Sequence, residues 1–415
     1  MVDAVKSETS ERVFSVLLIL LLTTIGTFWA FQRGGFDFSV YFEAWRLVLA
    51  GKGLVIYRHS PDRFLYAPGF AWILAPFAFL PKEWALVLWC LIKAGALGAL
   101  VCFTQHYLNK KNRWIASLSL LFIARPLLID FQYGQINILI LVFSCCALLS
   151  YFDLKIRLHW VCLFWFLLGL FSTFKLYTLP LLMTPWVCTR ARSGKVKAAL
   201  ILGVSLSLLS PLFSVSLTDF LSLYFQWFQS LVSRGFPLET HNQSIAALVF
   251  RTLSGEPVHA VLRGPEFFPI GEALLSHQIL KDLSFAWVFI SSGVFLSWVF
   301  YASRENVLRW VAVTVGFLLL PLHLVWKPYF VLTYPLAVAA LNQIFSRWKG
   351  KRKWRGISIR VGLTVFAFFL INCSGFDFLG YSVASFFEAF SALMVGHLIL
   401  MGLVVFSFHP TGNLS

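Results

Sequence analysis

Asp37 is the residue in this sequence best placed to act as a base. It follows the almost uncharged run 13–32 and lies in the aromatic segment 36–41, Phe-Asp-Phe-Ser-Val-Tyr. A run of about twenty apolar residues is long enough to cross a bilayer. A carboxylate at the end of such a run is costly and often has a functional partner. From position alone, an aspartate that simply faces water is the simpler interpretation. Polar residues in other parts of the chain favour a catalytic role instead.

Four further groups of polar residues lie at the ends of apolar runs that are distant in sequence. They are Asp130, Tyr133, Gln135 and Asn137; then Lys175; then Asn242, Gln243 and Arg251; then His323, Trp326, Lys327 and Tyr329. One such group alone would be typical of snorkelling or of a capped helix end. With the membrane topology derived below, all four groups fall near the outer face, and we expect them to share a polar cavity.

The residue types in these groups and elsewhere in the chain restrict the reactions that the protein could catalyse. The nine histidines are scattered without the spacing of a zinc site, and no Gly-rich phosphate loop or Asp-x-Asp pair is present. Sugar transfer from a lipid phosphate needs none of these. A carboxylate takes the proton from the acceptor hydroxyl, while cations and amides neutralise the leaving phosphate. Tyr, Trp, Asn and Gln side chains hold the sugars. We expect no metal and no other cofactor.

The composition predicts the structural class. Of 415 residues, 59% are hydrophobic and only 13% are charged, whereas a soluble domain carries about 25% charged residues. We therefore expect an all-α polytopic integral membrane protein, with residues 1–415 forming a single membrane domain. The first apolar run is long enough to span a bilayer, so we interpret it as a membrane helix and not as a cleaved signal.

The net charge of +16 reflects topology and not nucleic-acid binding. Lysines and arginines cluster in short loops between apolar runs, at 110–113, 155–157, 190–197, 304–309 and 347–355. Basic loops of this kind face the cytoplasm, where they also attract the headgroups of anionic membrane lipids. The pattern predicts a multi-pass plasma (inner) membrane protein with both termini in the cytoplasm and no nucleic-acid partner.

The apolar runs predict about twelve membrane spans. The run 65–104 is too long for one simple span, and Pro68, Pro76 and Pro81 break its first half. We interpret 65–80 as a partial or re-entrant helix before a span at 84–104, because one net crossing keeps every basic loop inside. The outer-face segments are then 32–64 and 217–283.

The first outer-face segment contains a predicted interfacial helix from Ser39 to Ala50. Tyr41, Ala44, Trp45 and Val48 fall on one face of this helix, and Gly51 ends it. On another face, Glu43 and Arg46 are spaced for an i,i+3 ion pair.

Several motifs occur in a fixed order over about 300 residues: 36–41, 54–57, 66–68 with Pro76 and Pro81, 134–137, 175, 242–244 with 251, and 326–329. Together they resemble glycosyltransferase family 87. That family has the GT-C membrane fold and includes polyprenyl-phosphate-mannose-dependent α-1,2-mannosyltransferases. The resemblance implies a cell-envelope enzyme that transfers a hexose, with mannose the first candidate, from a polyprenyl-phosphate sugar to a lipid or glycan acceptor at the outer face, inverting the anomeric carbon.

The resemblance also implies roles for individual residues, with Asp37 as the catalytic base. The candidates for binding the donor phosphate are Lys327, Lys175, His323 and Arg251. The candidates for binding the sugar or the acceptor are Tyr41, Tyr66, Tyr133, Gln135, Asn137, Asn242, Gln243 and Trp326. The other acids considered as bases are Glu43, Asp62 and Asp130.

Two alternative functions remain open. In a transporter or lipid flippase, Asp37, Lys175 and Lys327 would be charges along the substrate path. Such proteins often contain inverted repeats, and no internal repeat is apparent here. A polyprenyl-linked glycan ligase would use the same outer cavity but would transfer a whole oligosaccharide.

Overall fold

A computed structural model describes residues 2–59, 64–188, 190–233, 240–255, 273–302, 304, 306–348 and 354–406. These residues form α-helices and short 3-10 helices, and no strand occurs among them. The predicted all-α class is therefore confirmed.

The α-helices of the first half are α1 (Val2–Arg33), α2 (Phe36–Leu49), α3 (Ile56–His59), α4 (Pro68–Leu74), α5 (Lys82–His106), α6 (Trp114–Phe122), α7 (Ala124–Tyr133), α8 (Asn137–Phe152), α9 (Leu158–Ser172), α10 (Leu179–Leu182) and α11 (Thr184–Val187). Those of the second half are α12 (Ser193–Leu209), α13 (Leu217–Ser233), α14 (Ile245–Leu253), α15 (His277–Tyr301), α16 (Val307–Phe317), α17 (Tyr334–Trp348), α18 (Trp354–Asn372), α19 (Phe376–Ala389) and α20 (Ala392–Val405). The 3-10 helices are Gly53–Val55, Ala75–Phe79, Lys110–Asn112, Leu176–Thr178, Ser210–Phe213 and Lys327–Thr333.

Several helices have the length and composition of membrane spans. Within the described ranges, five segments qualify: Ser10–Arg33, Lys82–His106, Ser193–Phe213, His277–Tyr301 and Lys327–Ser346. Two bent helix pairs, α6 with α7 and α18 with α19, raise the number to seven if each is one span. Shorter apolar helices such as α8, α9 and α20 accompany them. These helices support a polytopic membrane protein, while the count of about twelve spans, the GT-C fold and the orientation stay predictions.

The broken helix predicted before the span at 84–104 is present. α4 begins at Pro68 and passes into the 3-10 helix Ala75–Phe79, and the backbone is extended at Leu80 before α5. Proline fits the first turn of a helix because the missing N–H has no partner there in any case. Whether this segment is re-entrant stays a prediction.

A helix is also present where the interfacial helix was predicted, but it begins three residues earlier, at Phe36. Its location at the membrane interface stays a prediction. Gly34 and Gly35 have φ angles of 70° and 55°, which let the chain turn directly from α1 into α2. Asp37 therefore lies in the first turn of α2, where the helix dipole favours a negative charge.

The faces of α2 agree with the sequence pattern. Tyr41, Ala44 and Trp45 are buried, and Val48 is half-buried. The predicted ion pair between Glu43 and Arg46 is confirmed, with a distance of 3.0 Å.

The chain groups into two compact units. One comprises 19–100 and 128–237 and is called the Asp37 unit; the other comprises 1–18, 101–127 and 238–415 and is called the Lys327 unit. The single membrane domain predicted from composition stays a prediction.

Close helix packing organises the Asp37 unit. α12 and α8 both pack against α9. A Cβ atom at Gly169 of α9 would lie 2.6 Å from the carbonyl oxygen of Leu200, so only glycine permits this approach. Small residues allow such contacts between membrane helices. The contact fixes the end of α9, from which the chain continues to Lys175.

The Lys327 unit has its core around α16, α17, α18 and α20. The buried His397 of α20 lies 2.8 Å from the Thr333 hydroxyl and 3.0 Å from the Gly316 carbonyl oxygen. These contacts hold the end of the 3-10 helix that begins at Lys327.

We predict that Lys111 faces the cytoplasm, because the positive-inside rule places its loop there. Lys111 is exposed in the 3-10 helix between α5 and α6, so Lys111→Cys would be reactive if a reagent could reach it. In a background without the native cysteines, a membrane-impermeant maleimide should fail to label Lys111→Cys in intact cells. It should label the variant once the cells are permeabilised.

Lys52→Cys is the matched control, because Lys52 is exposed in the segment predicted to lie outside. It should label in intact cells. Efficient labelling of Lys111→Cys in intact cells would contradict the topology. Lys351, the other residue expected to face the cytoplasm, lies outside the described residues.

Candidate functional site

Asp37 is half-buried and bonded to the α7–α8 turn. Its carboxylate accepts a hydrogen bond from the amide nitrogen of Gln135. The preceding residue, Gly134, has a φ of 69°, and a Cβ atom there would lie 2.5 Å from the Cβ of Phe38. Glycine therefore allows both the left-handed turn and the close approach of α2, and this approach places Asp37 opposite Gln135.

The Gln135 side chain links the carboxylate to a cation. Its amide oxygen accepts hydrogen bonds from Lys175 Nζ at 2.9 Å and from Asn137 Nδ2 at 3.2 Å. An oxygen held by two donors leaves the NH₂ group to face Asp37. The buried amide thus separates a negative from a positive side chain, and all three belong to the Asp37 unit.

A second layer of buried groups supports Gln135. Asn137 Nδ2 also donates to Asp130 Oδ2 at 3.1 Å, and Tyr177 donates to Asn137 Oδ1 at 3.0 Å. Asp130 forms an ion pair of 2.7 Å with Lys93, and both side chains are fully buried. Lys93 was not among the residues predicted from sequence. The available signal was a lone lysine inside an apolar run, which is rare unless it is paired.

Tyrosines line the neighbourhood of Asp37. The hydroxyls of Tyr41 and Tyr66 are hydrogen-bonded, and Lys175 Nζ lies 5.7 Å from the centroid of the Tyr66 ring. Burial, followed by the proximity of Tyr66 and Asp37, raises the pKa of Tyr41 well above its usual value, so Tyr41 stays neutral. The ring of Tyr133 lies 6.5 Å from that of Phe36, the residue before Asp37.

The structure therefore brings seven of the predicted site residues into one neighbourhood of the Asp37 unit. They are Asp37, Tyr41, Tyr66, Tyr133, Gln135, Asn137 and Lys175. Among the other acids considered as bases, Glu43 is engaged in its surface ion pair and Asp130 pairs with Lys93. Asp62 lies outside the described residues.

The Lys327 unit contains a separate buried ion cluster. Lys327 Nζ and Arg125 Nη2 both contact Oε1 of Glu388, the latter at 3.1 Å. Glu388 is fully buried, and its Oε2 has no hydrogen-bond partner. Two cations therefore contact one carboxylate, and Asp377 lies near enough to Lys327 to act on its charge. Glu388 was also missed from sequence, although an acid in the apolar run 386–408 is as unusual as a lysine in 84–104.

Asn242, Gln243 and Arg251 are bonded mainly to the backbone. Asn242 donates to the carbonyl oxygen of His323 at 2.8 Å, and Gln243 donates to that of Glu388 at 2.8 Å. The Arg251 guanidinium donates to the carbonyl oxygens of Ala389 at 2.9 Å and Asn242 at 2.8 Å. These bonds give the three side chains a scaffolding role. Their assignment as sugar or phosphate ligands stays a prediction.

His241, His323 and Trp326 lie near this scaffold in the chain. Burial, with a smaller contribution from Lys327, lowers the pKa of His241 to about 4, so its ring is neutral at neutral pH. Its Nδ1 is buried without a hydrogen-bond partner. His323 is exposed and Trp326 is half-buried just before Lys327. Their predicted roles in binding phosphate and sugar are untested.

No group of three His, Cys, Asp or Glu side chains able to hold a metal ion occurs in the part of the chain that the structure describes. Metal independence itself stays a prediction. The single cavity expected to unite all the polar groups also stays a prediction, because those groups divide between the two units.

Comparison with protein families identifies glycosyltransferase family 87. The model of glycosyltransferase family 87 matches residues 64–328, which include Gln135, Lys175 and Lys327. Asp37 and Glu388 lie outside the matched segment. No curated protein and no solved structure matches the chain. Because the match covers more than half of the sequence, as the order of motifs predicted, the protein belongs to glycosyltransferase family 87.

Proposed function

We propose that this membrane glycosyltransferase transfers a hexose, with mannose as the first candidate, from a polyprenyl-phosphate sugar to a hydroxyl group of a lipid or glycan acceptor. We place the reaction at the outer face of the plasma membrane, without a metal ion. The family supports a membrane glycosyltransferase with a donor and an acceptor. The observation that carries the mechanism is the connection of Asp37 through the Gln135 amide to Lys175.

In the proposed reaction Asp37 is the general base. Its carboxylate takes the proton of the acceptor hydroxyl while that oxygen attacks the anomeric carbon of the sugar. The bond between the anomeric carbon and the phosphate oxygen breaks, and the polyprenyl phosphate leaves with the electron pair. A single displacement of this kind inverts the anomeric configuration. A hydrogen bond donated to a carboxylate favours its charged form, and the one from Gln135 also orients Asp37.

The leaving phosphate needs positive charge where water is scarce. In the Asp37 unit, Lys175 is buried one amide away from the base, which supports its assignment as a phosphate ligand. In the Lys327 unit, Lys327 is the first candidate. Lys327 and Arg125 both contact Glu388, so this cluster contains two cations that could bind a phosphodiester, which supports Lys327 and adds Arg125 to the candidates. Arg251 and His323 remain candidates from the sequence.

Tyrosine and amide side chains are proposed to bind the sugars. Tyr41, Tyr66 and Tyr133 lie around Asp37, so they are in place to contact the sugar or the acceptor. Gln135 and Asn137 are engaged with neighbouring side chains, and Asn242, Gln243 and Trp326 lie in the Lys327 unit.

Asp37→Asn should lower the turnover number by about 10²–10⁴-fold, the usual contribution of a general base. The substitution keeps the shape of the side chain and removes its basicity, so folding and donor binding should be preserved. The measurement is steady-state transfer of radiolabelled sugar from the polyprenyl-phosphate donor by the purified protein. Glu43→Gln is the matched control, since Glu43 is an acid on the same helix in a surface ion pair. Turnover of Asp37→Asn within a few-fold of wild type would exclude Asp37 as the base and make Asp130 the next candidate.

Lys175→Ala and Lys327→Ala should each weaken donor binding by about 1.5–3 kcal/mol, the range for a hydrogen bond to a charged group. That loss corresponds to roughly a 10- to 100-fold rise in Kd, measurable by equilibrium binding of the polyprenyl-phosphate sugar. Loss of Lys327 leaves Arg125 paired with Glu388, so no buried carboxylate is left alone. Lys52→Ala, at an exposed lysine, should leave the Kd unchanged. An unchanged Kd for either buried lysine would remove that residue from the phosphate site.

A further inference from the structure

The ion pair between Lys93 and Asp130 has no part in the proposed reaction. It is fully buried in the Asp37 unit, with Nζ of Lys93 2.7 Å from Oδ1 of Asp130. A buried ion pair is a weak source of stability, because the cost of removing two charges from water offsets most of their attraction. The contacts around the pair indicate what else it does.

Lys93 holds Asp130 at two points. In addition to the ion pair, Nζ donates to the backbone carbonyl oxygen of Asp130 at 2.9 Å. Asp130 lies in the last turn of α7, directly before the turn that contains Gln135. Lys93 comes from the interior of α5, so one side chain ties α5 to both the main chain and the side chain of Asp130.

The second oxygen of Asp130 fixes the orientation of an amide. Oδ2 of Asp130 accepts from Nδ2 of Asn137 at 3.1 Å, and Oδ1 of Asn137 accepts from Tyr177 at 3.0 Å. An acceptor on one side and a donor on the other allow only one orientation of the Asn137 amide. Its NH₂ group is then also directed at Oε1 of Gln135, at 3.2 Å.

The orientation of Asn137 in turn sets that of Gln135. With Asn137 and Lys175 donating to its oxygen, the Gln135 amide can present only its NH₂ group to Asp37. A reversed amide would place an oxygen against the carboxylate. The order of contacts is therefore Lys93, Asp130, Asn137, Gln135 and Asp37.

We propose that Lys93 and Asp130 are positioning residues that act through Asn137 to keep a hydrogen-bond donor of Gln135 on the catalytic carboxylate. The inference rests on the proposed role of Asp37 as the base. The expected consequence is a change in the pH at which Asp37 becomes protonated. A donor to a carboxylate favours the charged form, and a base must be charged before it accepts a proton. Without the donor, Asp37 is protonated more easily, and the acid limb of the pH–rate profile moves to higher pH.

Other charged and titratable groups surround Asp37 in this unit. Among the described residues they include Tyr41 on α2, Tyr66 before α4, Lys93 on α5, Asp130 and Tyr133 on α7 and Lys175 after α9. Lys93 and Asp130 carry opposite charges. Removing both leaves the net charge near Asp37 unchanged, so a shift of the acid limb then reports the amide orientation and not a lost charge.

The test is the double variant Lys93→Met/Asp130→Leu. Apolar residues of similar size often replace a buried ion pair without loss of stability, whereas removing one partner leaves a buried charge alone. Transfer of radiolabelled sugar is measured between pH 4.5 and 8.5 at saturating donor. We expect kcat/KM for the acceptor to fall about 10- to 100-fold at neutral pH. The acid limb should move up by about one pH unit.

Gln135→Leu and Asn137→Leu should move the acid limb in the same direction. Gln135→Leu removes the donor to Asp37 itself, and Asn137→Leu removes the hydrogen bond that orients Gln135. They also provide the test if the double variant fails to fold in detergent. The control is Glu43→Gln/Arg46→Met, which removes an exposed ion pair from the helix that carries Asp37. The control should leave both the rate and the acid limb unchanged.

Two different results would overturn the positioning role of Lys93 and Asp130 and the role of Asp37 as base. If Asp37→Asn is inactive but the acid limb stays at the wild-type pH in the folded double variant, or in Gln135→Leu and Asn137→Leu, the positioning role is overturned and the base remains. If Asp37→Asn keeps turnover within a few-fold of wild type, the role of Asp37 as base is overturned, and the positioning role with it.

Discussion

Charged side chains placed among membrane-spanning helices must find partners inside the protein, and this requirement accounts for much of the structure. A lone charge in the bilayer costs several kcal/mol. Each fully buried charge described here meets an opposite charge or several polar atoms. Lys93 meets Asp130, and Glu388 meets both Lys327 and Arg125. The helices that carry these residues come from distant parts of the chain, so pairing fixes which of their faces meet.

Close backbone contacts set the geometry of the network formed by Asp37, Gln135 and Lys175. Gly134 lets α2 lie directly on the turn between α7 and α8, and Gly169 lets α9 approach α12. A side chain at either position would push the helices apart and would move Asp37 or Lys175 away from Gln135. The polar network of the Asp37 unit therefore depends on close packing against these two glycines. The same network holds the proposed base in one orientation.

The sequence predicted best those features that depend on residues close together in the chain. Hydropathy, prolines and glycines predicted the all-α class, the broken helix before α5 and the buried face of α2, and the spacing of Glu43 and Arg46 predicted their ion pair. Family-specific motifs identified the enzyme family. Lys93 and Glu388 were missed because each lies within an apolar run, where hydropathy does not tell which neighbour a side chain meets. The scaffolding contacts of Asn242 and Arg251 depend on backbone carbonyls that are far away in sequence, so residue type alone gave no indication of them.

Sugar transfer from a lipid phosphate is the central claim, and the product of a single reaction tests it directly. Purified protein is incubated without added metal with radiolabelled polyprenyl-phosphate mannose and extracted membrane lipids, and the anomeric configuration of any labelled product is determined. The account predicts a labelled lipid or glycan whose glycosidic bond has the configuration opposite to that of the donor. A product that retains the donor configuration, or one that forms only from a nucleotide sugar, would contradict it.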